Sequence, residues 1–516
     1  MNKLLTLTTF LPLVGALMVL GGGRGLKDGA ARWVALGASV VTFIVSLVVL
    51  GRFDPSSSQP FQMIETARWV PSIGLYYAVG IDGLSIWMLL LTTFLFPVSI
   101  LASWTITKDV RRFLAAILVL ETAVIGTFVS LDLLLFFVFF EALLVPMYLL
   151  IGGWGGQRRI YAAVKFFLFT MAGSAFLLVA ILFLYAQQDG TRLFGYGAMM
   201  GAAAGVPETT ARWLFLAFFV AFAVKVPLVP LHTWLPDAHT EAPTAGSVLL
   251  AALLLKVGTY GLIRFNLMLF PEASKYFATF VGVIAVVGII YGAVNALIQT
   301  DIKRLVAYSS VSHLGFVVLG VFAFTQQGVT GGVLQMVNHG LATGALFLLV
   351  GMVYERTHTR DLGSMGGLAS VMPWLMGAFL FTAFASAGLP GLNGFVGEFL
   401  VIVGTFAVHT WFGALAATAV VLAAIYLLWS YQRMAFGAVR EEHRTLPDVN
   451  LREVVVLAPV LALLLVFGVA PSLLTDRIDP ATEAVIARVS PRYETDLGGR
   501  AITRMVTPAQ EEAAGP

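Results

Sequence analysis

The chain has 516 residues, 59% of them hydrophobic and only 11% charged, whereas soluble domains run near roughly 45–50% and about 25%. A water-soluble fold of this size lacks the polar surface to hide so much apolar area, so lipid must be the solvent for most of its side chains. The sequence contains no cysteine, which excludes disulfides, Fe–S ligation and thiolate zinc sites within the chain and places any redox chemistry on a partner.

About 20 apolar residues cross the hydrocarbon core as a helix. The first apolar stretch, Leu4–Leu20, has only Lys3 before it and no small-residue cleavage site before the turn at residues 21–25, so it reads as a retained span. In chain order, fourteen spans are expected, near 3–21, 31–51, 82–103, 112–130, 131–152, 161–186, 211–231, 242–264, 275–298, 302–324, 330–354, 372–408, 411–436 and 452–472. The result is an all-α polytopic membrane protein. Its units are three N-terminal helices over 1–103, a five-helix unit over 112–264, a second over 275–436, a last helix at 452–472 and a polar tail over 473–516. Loops 52–80 and 187–210 and the tail from Thr475 are the sizeable polar segments, the tail suited to docking or disorder.

Lys and Arg concentrate in cytoplasmic loops. One set of alternate loops holds Arg24 and Lys27; Lys108, Arg111 and Arg112; Arg158 and Arg159; Lys303 and Arg304; Arg356 and Arg360; Arg433, Arg440 and Arg444. The opposite set holds only Arg52, Arg68, Arg192, Arg212, Arg264 and Lys275. The first set should face the cytoplasm or mitochondrial matrix, with both termini on the other side. Nucleic acid is not expected as a partner.

Two spans are interrupted. The seventh carries Lys225-Val226-Pro227-Leu228-Val229-Pro230, and the twelfth carries Gly388-Leu389-Pro390-Gly391. Proline removes a backbone donor and clashes with the preceding turn, and the freed carbonyls need protein or water. A proline alone often only kinks a helix. Here the breaks fall on the fourth helix of each five-helix run, and an odd number of helices per unit makes the two units inverted. Inverted repeats around discontinuous helices carry transport sites in many transporters.

Ionisable side chains at mid-span cost about 2.5–3.5 kcal/mol to insert and mark function by default. Glu121, Glu141, Lys225, Lys256, His313, His339 and Glu398 all lie close to the middle of their spans, on different helices. A lone buried His is often a packing residue, and a single Lys or Glu one half of a structural ion pair; the shared depth of the set favours transfer. Asp82 and Lys165 lie near span ends, where they can reach the interface. Opposite charges about 5 Å apart at an effective dielectric near 20 attract by roughly 3 kcal/mol, enough to switch a lysine between holding and releasing a proton. Histidine passes protons at little cost, and arginine does not deprotonate. The segment His232-Thr233-Trp234-Leu235-Pro236-Asp237-Ala238-His239-Thr240-Glu241 matches no strong metal motif and suits the lining of a proton entrance. The glycines at 21–25 lack the flanking strand and helix of a dinucleotide fingerprint.

Lys225-Val226-Pro227 with His232–His239 resembles the signature of the antiporter-like membrane subunits of respiratory complex I and of Mrp-type cation/proton antiporters. Leu131–Phe137 through Glu141–Tyr148, Ala307–Gly315 and Gly394–Phe399 match as well, so the resemblance spans nearly the whole chain. Glu398, where L- and N-type subunits usually carry Lys, and the short tail point to the M-type group. The resemblance implies that Glu141 and Lys225 form an ion pair coupled to pumping and that Lys256 is the central relay. It also implies that His313 and His339 bridge, Glu398 ends the row and Glu121 is an auxiliary carboxylate. It further implies that NADH, FMN, Fe–S clusters and quinone belong to partner subunits. L- and N-type subunits would be neighbours, in a bacterial inner or mitochondrial inner membrane. The alternatives are a subunit of a secondary cation/proton antiporter and a structural membrane anchor.

Overall fold

The computed structural model of the protein describes residues 3–22 and 26–490; Arg24, the end of the glycine turn and the tail after 490 lie outside the described residues. Among the described residues, twelve helices are long and apolar enough to cross a membrane: α1 Leu4–Gly21, α2 Asp28–Arg52, α3 Ser85–Ala102, α4 Val110–Val129, α5 Leu133–Trp154, α6 Arg159–Ala186, α10 Thr244–Leu267, α11 Pro271–Leu297, α12 Ile302–Phe322, α13 Gln326–Thr357, α16 Thr410–Ala435 and α17 Leu451–Val469. Between them stand a short helix α7 (Tyr196–Gly205), a broken pair α8 (Glu208–Lys225) and α9 (Trp234–Glu241), and a second broken pair α14 (Pro373–Ser386) and α15 (Asn393–Phe406). Both interruptions fall where the prolines and glycines place them.

Two features differ from the sequence reading. The loop over 52–80 contains an antiparallel hairpin, β1 Gln62–Val70 and β2 Leu75–Ile81. Its Glu65 accepts from the backbone N–H groups of Leu5 (2.8 Å) and Thr6 (3.0 Å) and so caps α1 from a distance. This is a non-local role that no helical periodicity signals. The tail begins as a helix, α18 (Ser472–Val489), which buries Leu474, Ile478, Thr482, Val485 and Val489 along one stripe. That spacing at three and four residues is an amphipathic face, overlooked because Pro480 and the charges suggest a break. Pro480 removes one donor, and packing against α13 offsets it.

Burial sorts the helices by environment. The hydropathic windows of α10 and α13 are wholly buried, while those of α2 and α17 are only 28% buried and turn apolar surface outward. The central helix α13 packs against α10, α12, α15, α17 and α18. Polar side chains within those two windows therefore pack against other protein groups, which is the condition for keeping ionisable groups at membrane depth.

Helices α5 and α12 begin alike. Asp132 caps α5 by accepting from the N–H groups of Leu134 and Leu135, both at 3.0 Å, and Asp301 caps α12 by accepting from Lys303 (2.8 Å) and Arg304 (3.2 Å). Each Asp also sits in an isolated antiparallel bridge, Asp132 with Gly195 before the first broken pair and Asp301 with Asp361 before the second.

Candidate functional site

A wide, π-helical turn at Leu250–Leu254 precedes Lys256 on α10. Such turns free carbonyls and recur at functional sites. Here the Lys256 ammonium donates to Ala251 O at 2.6 Å and meets His339 Nδ1 of α13 at 2.6 Å. A charged lysine only donates, so beside it Nδ1 accepts and neutral His339 carries its proton on Nε2, which has no hydrogen-bond partner among the described residues. The His339 and His313 rings stand 5.7 Å apart, centre to centre. On α12, His313 Nδ1 lies 2.7 Å from Glu398 Oε1, and its Nε2 reaches Tyr426 OH (3.3 Å) and Ser386 Oγ (3.4 Å). Gln335 Nε2 also donates to Glu398 Oε1 at 2.9 Å. Lys256, His339, His313 and Glu398 thus form one buried row across four helices, and each member is at most 3% exposed.

The second break brings Glu398 into this row. Gly388 (φ +77) and Gly391 (φ +91) adopt left-handed backbone that other residues take only with strain. A Cβ added at Gly388 would stand 3.3 Å from Glu398 Oε2. The opening at the break is the space the carboxylate occupies. Asn338 of α13 donates to Asn393 O (2.7 Å), tying the start of α15 to the central helix.

Lys225 ends α8 at the other break. Its ammonium has no hydrogen-bond partner among the described residues and lies 4.9 Å from the Phe140 ring centre and 5.7 Å from that of Phe166. Pro227 offers no N–H to Ala223 O, which takes that of Leu228 instead at 2.8 Å, and Trp234 Nε1 donates at 2.9 Å to the Val224 O so released. Glu141 is the acidic neighbour whose charge reaches Lys225, yet no salt bridge joins them in this conformation, and Glu141 Oε1 is itself buried without a partner. Cation–π contacts satisfy a desolvated ammonium only in part. Glu121 on α4 is fully buried, accepts from Ser39 Oγ at 2.9 Å, and has no hydrogen bond to any other member of the set.

Other buried groups lie outside the row that the sequence marks. The segment 232–241 does not gather its ionisable groups: Asp237 pairs with Lys165 (2.7 Å), Glu241 accepts from Arg158 N (2.8 Å), and His232 packs edge-on against Tyr291. His239 is fully buried, stacks on Phe347, and leaves both ring nitrogens without partners. Arg264, placed by the sequence among exterior loop charges, is 5% exposed and bonded to Asp82 at 2.5 Å. Asp82 therefore does not reach for the interface. Tyr260 OH accepts from Arg264 Nε at 3.1 Å, so the pair is part of a buried network. Hydropathy could not find it, because the two residues are 182 positions apart.

Residues 130–424 match a family model described as the transmembrane region of NADH:quinone oxidoreductase and Mrp antiporters. The chain is 47% identical to NADH-quinone oxidoreductase subunit M of Rhodobacter capsulatus over 96% of its length and 98% of that protein. It is 42% identical to the subunit M of Rickettsia prowazekii, over 91% and 96% of the two chains. Among solved structures it superposes on a chain of respiratory complex I from Thermus thermophilus with bound NADH, at 32% identity and a TM-score of 0.86, covering 94% of this chain and 100% of that one.

Proposed function

The chain belongs to the NADH:quinone oxidoreductase/Mrp antiporter transmembrane family, as a subunit M of NADH-quinone oxidoreductase, and from that premise we propose that it carries protons across the membrane through a mid-membrane relay. It is a multi-pass membrane subunit that works with the other subunits of complex I. NADH, FMN and the Fe–S clusters sit in those subunits; with no cysteine, this chain supplies no thiolate to a cluster.

One observation carries the relay: the succession Lys256, His339, His313, Glu398, with contacts of 2.6 and 2.7 Å at its ends and 5.7 Å between the rings. Two positive charges about 5.7 Å apart repel by roughly 3 kcal/mol at an effective dielectric near 20, a factor of roughly a hundred in occupancy. Both histidines therefore rarely hold an extra proton together, and a proton arriving on one drives departure from the other. Glu398 is the sink that attracts it. His339 Nε2 has no hydrogen-bond partner among the described residues, so a water between the rings completes the path. Lys225 and Glu141 lie upstream as a pair whose approach or separation sets whether Lys225 holds its proton, and Glu121 acts as an auxiliary carboxylate.

The same reading gives fourteen crossings, the twelve long helices and the two broken pairs, in two inverted five-helix units. The matching Asp caps and bridges of Asp132 and Asp301 support the repeat. L- and N-type subunits flank the chain in the inner membrane of a bacterium. Converting Lys256 to Met keeps the volume and removes the proton carrier. We expect Lys256→Met to leave the complex assembled and to lower both NADH-driven proton pumping and quinone reduction in everted vesicles several-fold. An assembled mutant that pumps as the wild type does would end the relay reading.

A further inference from the structure

Lys256, Tyr260 and Arg264 follow one another at intervals of four along α10 and so share one face of it. A second π-helical turn, Leu262–Leu267, carries Arg264. There a cavity of about 220 Å³ opens on the side away from the basic loops, and Asp82, Tyr196 and Arg264 stand in its wall. Its lining also includes Asp54 and Gln59, which are exposed, and Arg477 of α18. The exterior thus comes within two helical turns, about 12 Å, of the first member of the row. Hydrogen bonds at the inner wall all run away from the guanidinium. Arg264 donates from Nη2 to Asp82 Oδ2 at 2.5 Å and from Nε to Tyr260 OH at 3.1 Å, and Tyr260 donates onward to Phe128 O at 3.1 Å. The Phe61 ring covers the guanidinium at 4.9 Å, and Tyr196 OH donates to Arg264 O at 2.9 Å.

We propose that Arg264 is the barrier that keeps exterior protons from Lys256, with Asp82 holding the guanidinium across the inner end of the cavity. A buried ion pair by itself says little about function. This one stands between a cavity and a lysine on its own helix, and its cation only donates and does not release a proton. A proton entering from outside can reach Asp82, but the next group cannot pass it on. Once Asp82 is neutralised in that way, the uncompensated guanidinium repels a second cation. The assignment rests on Lys256 being a proton carrier, because a route from the exterior to that lysine would return what the relay moves.

The test reads passive proton entry into liposomes that carry the intact complex, without NADH. An external acid jump is applied with potassium and valinomycin clamping the potential, and entrapped pyranine reports the internal pH. Arg264→Gln should leak several-fold faster than the wild type, since the shorter, neutral amide leaves room for water between the cavity and Tyr260. Asp82→Asn breaks the same ion pair but keeps the guanidinium, and it should stay as tight as the wild type. A merely structural pair would make the two variants leak alike. The double variant Arg264→Gln with Asp82→Asn orphans no charge and should leak like Arg264→Gln, so it decides where the single variant fails to assemble. Adding Lys256→Met to either leaky variant should close it again. The barrier assignment falls if the assembled Arg264 variants are as tight as the wild type, if Asp82→Asn leaks as they do, or if the leak survives Lys256→Met. The relay itself is judged separately, by NADH-driven pumping in the Lys256→Met complex.

Discussion

Replacing Glu398 with Gln separates charge from shape at the end of the row. The amide is isosteric, and its oxygen can still accept from His313 Nδ1 and Gln335 Nε2, which now contact Glu398 Oε1 at 2.7 and 2.9 Å. Packing and hydrogen bonds survive; the negative charge does not. With charge centres about 4 Å apart and an effective dielectric near 20, that charge attracts a proton moving along the row by roughly 4 kcal/mol, nearly a thousandfold as an equilibrium constant. Even a quarter of that energy, about 1 kcal/mol, is a fivefold change at room temperature. Glu398→Gln should therefore assemble normally, as judged by native gel electrophoresis, and lose most NADH-driven proton pumping, as judged by fluorescence quenching in everted vesicles. Quinone reduction should fall with it, because the two are coupled. Normal pumping and normal quinone reduction in assembled Glu398→Gln complex would refute the electrostatic account of this site.

Lys225→Arg should fail to restore what Lys225→Ala loses, since arginine holds a charge and does not release its proton; equal pumping by Lys225→Arg and the wild type would count against proton release at that position. Glu141→Ala should lower pumping in an assembled complex in the same way. Gly388→Ala forces a residue with a side chain into φ +77 and places its Cβ 3.3 Å from Glu398 Oε2; the strain is about 1–2 kcal/mol, and the loss should appear in pumping before it appears in complex yield. Arg264→Met leaves Asp82 buried and unpaired, at a cost of roughly 3–5 kcal/mol. It should lower the thermal stability of the complex, and the double change Asp82→Leu with Arg264→Met should recover much of it; a double variant no more stable than the single one would show that the pair is not the reason.

The long apolar helices, the two interruptions and the ionisable residues buried among them were legible in the sequence because each is local. Hydrophobic runs near bilayer thickness, Pro and Gly inside them, and a charged residue among Phe or Leu need no knowledge of what lies opposite. Glu141, Lys225, Lys256, His313, His339 and Glu398 stand out for that reason. Lys256 also shows the limit. Its depth was readable, but the wide turn at Leu250–Leu254 and the 2.6 Å contact to His339 depend on helices that meet only after folding.

Tertiary structure alone decided which members of the set touch. It joined Lys256, His339, His313 and Glu398, left Glu121 with Ser39, and held Lys225 over Phe140 and Phe166 without a carboxylate contact. It also turned Arg264 inward to Asp82, used Glu65 of an unforeseen hairpin to cap α1, and bound α18 to the bundle. The physical reason is common to all of these. Transfer into lipid is an additive, residue-by-residue preference that a linear sequence displays. A hydrogen bond between groups dozens of residues apart exists only when two helices fix its length and angle.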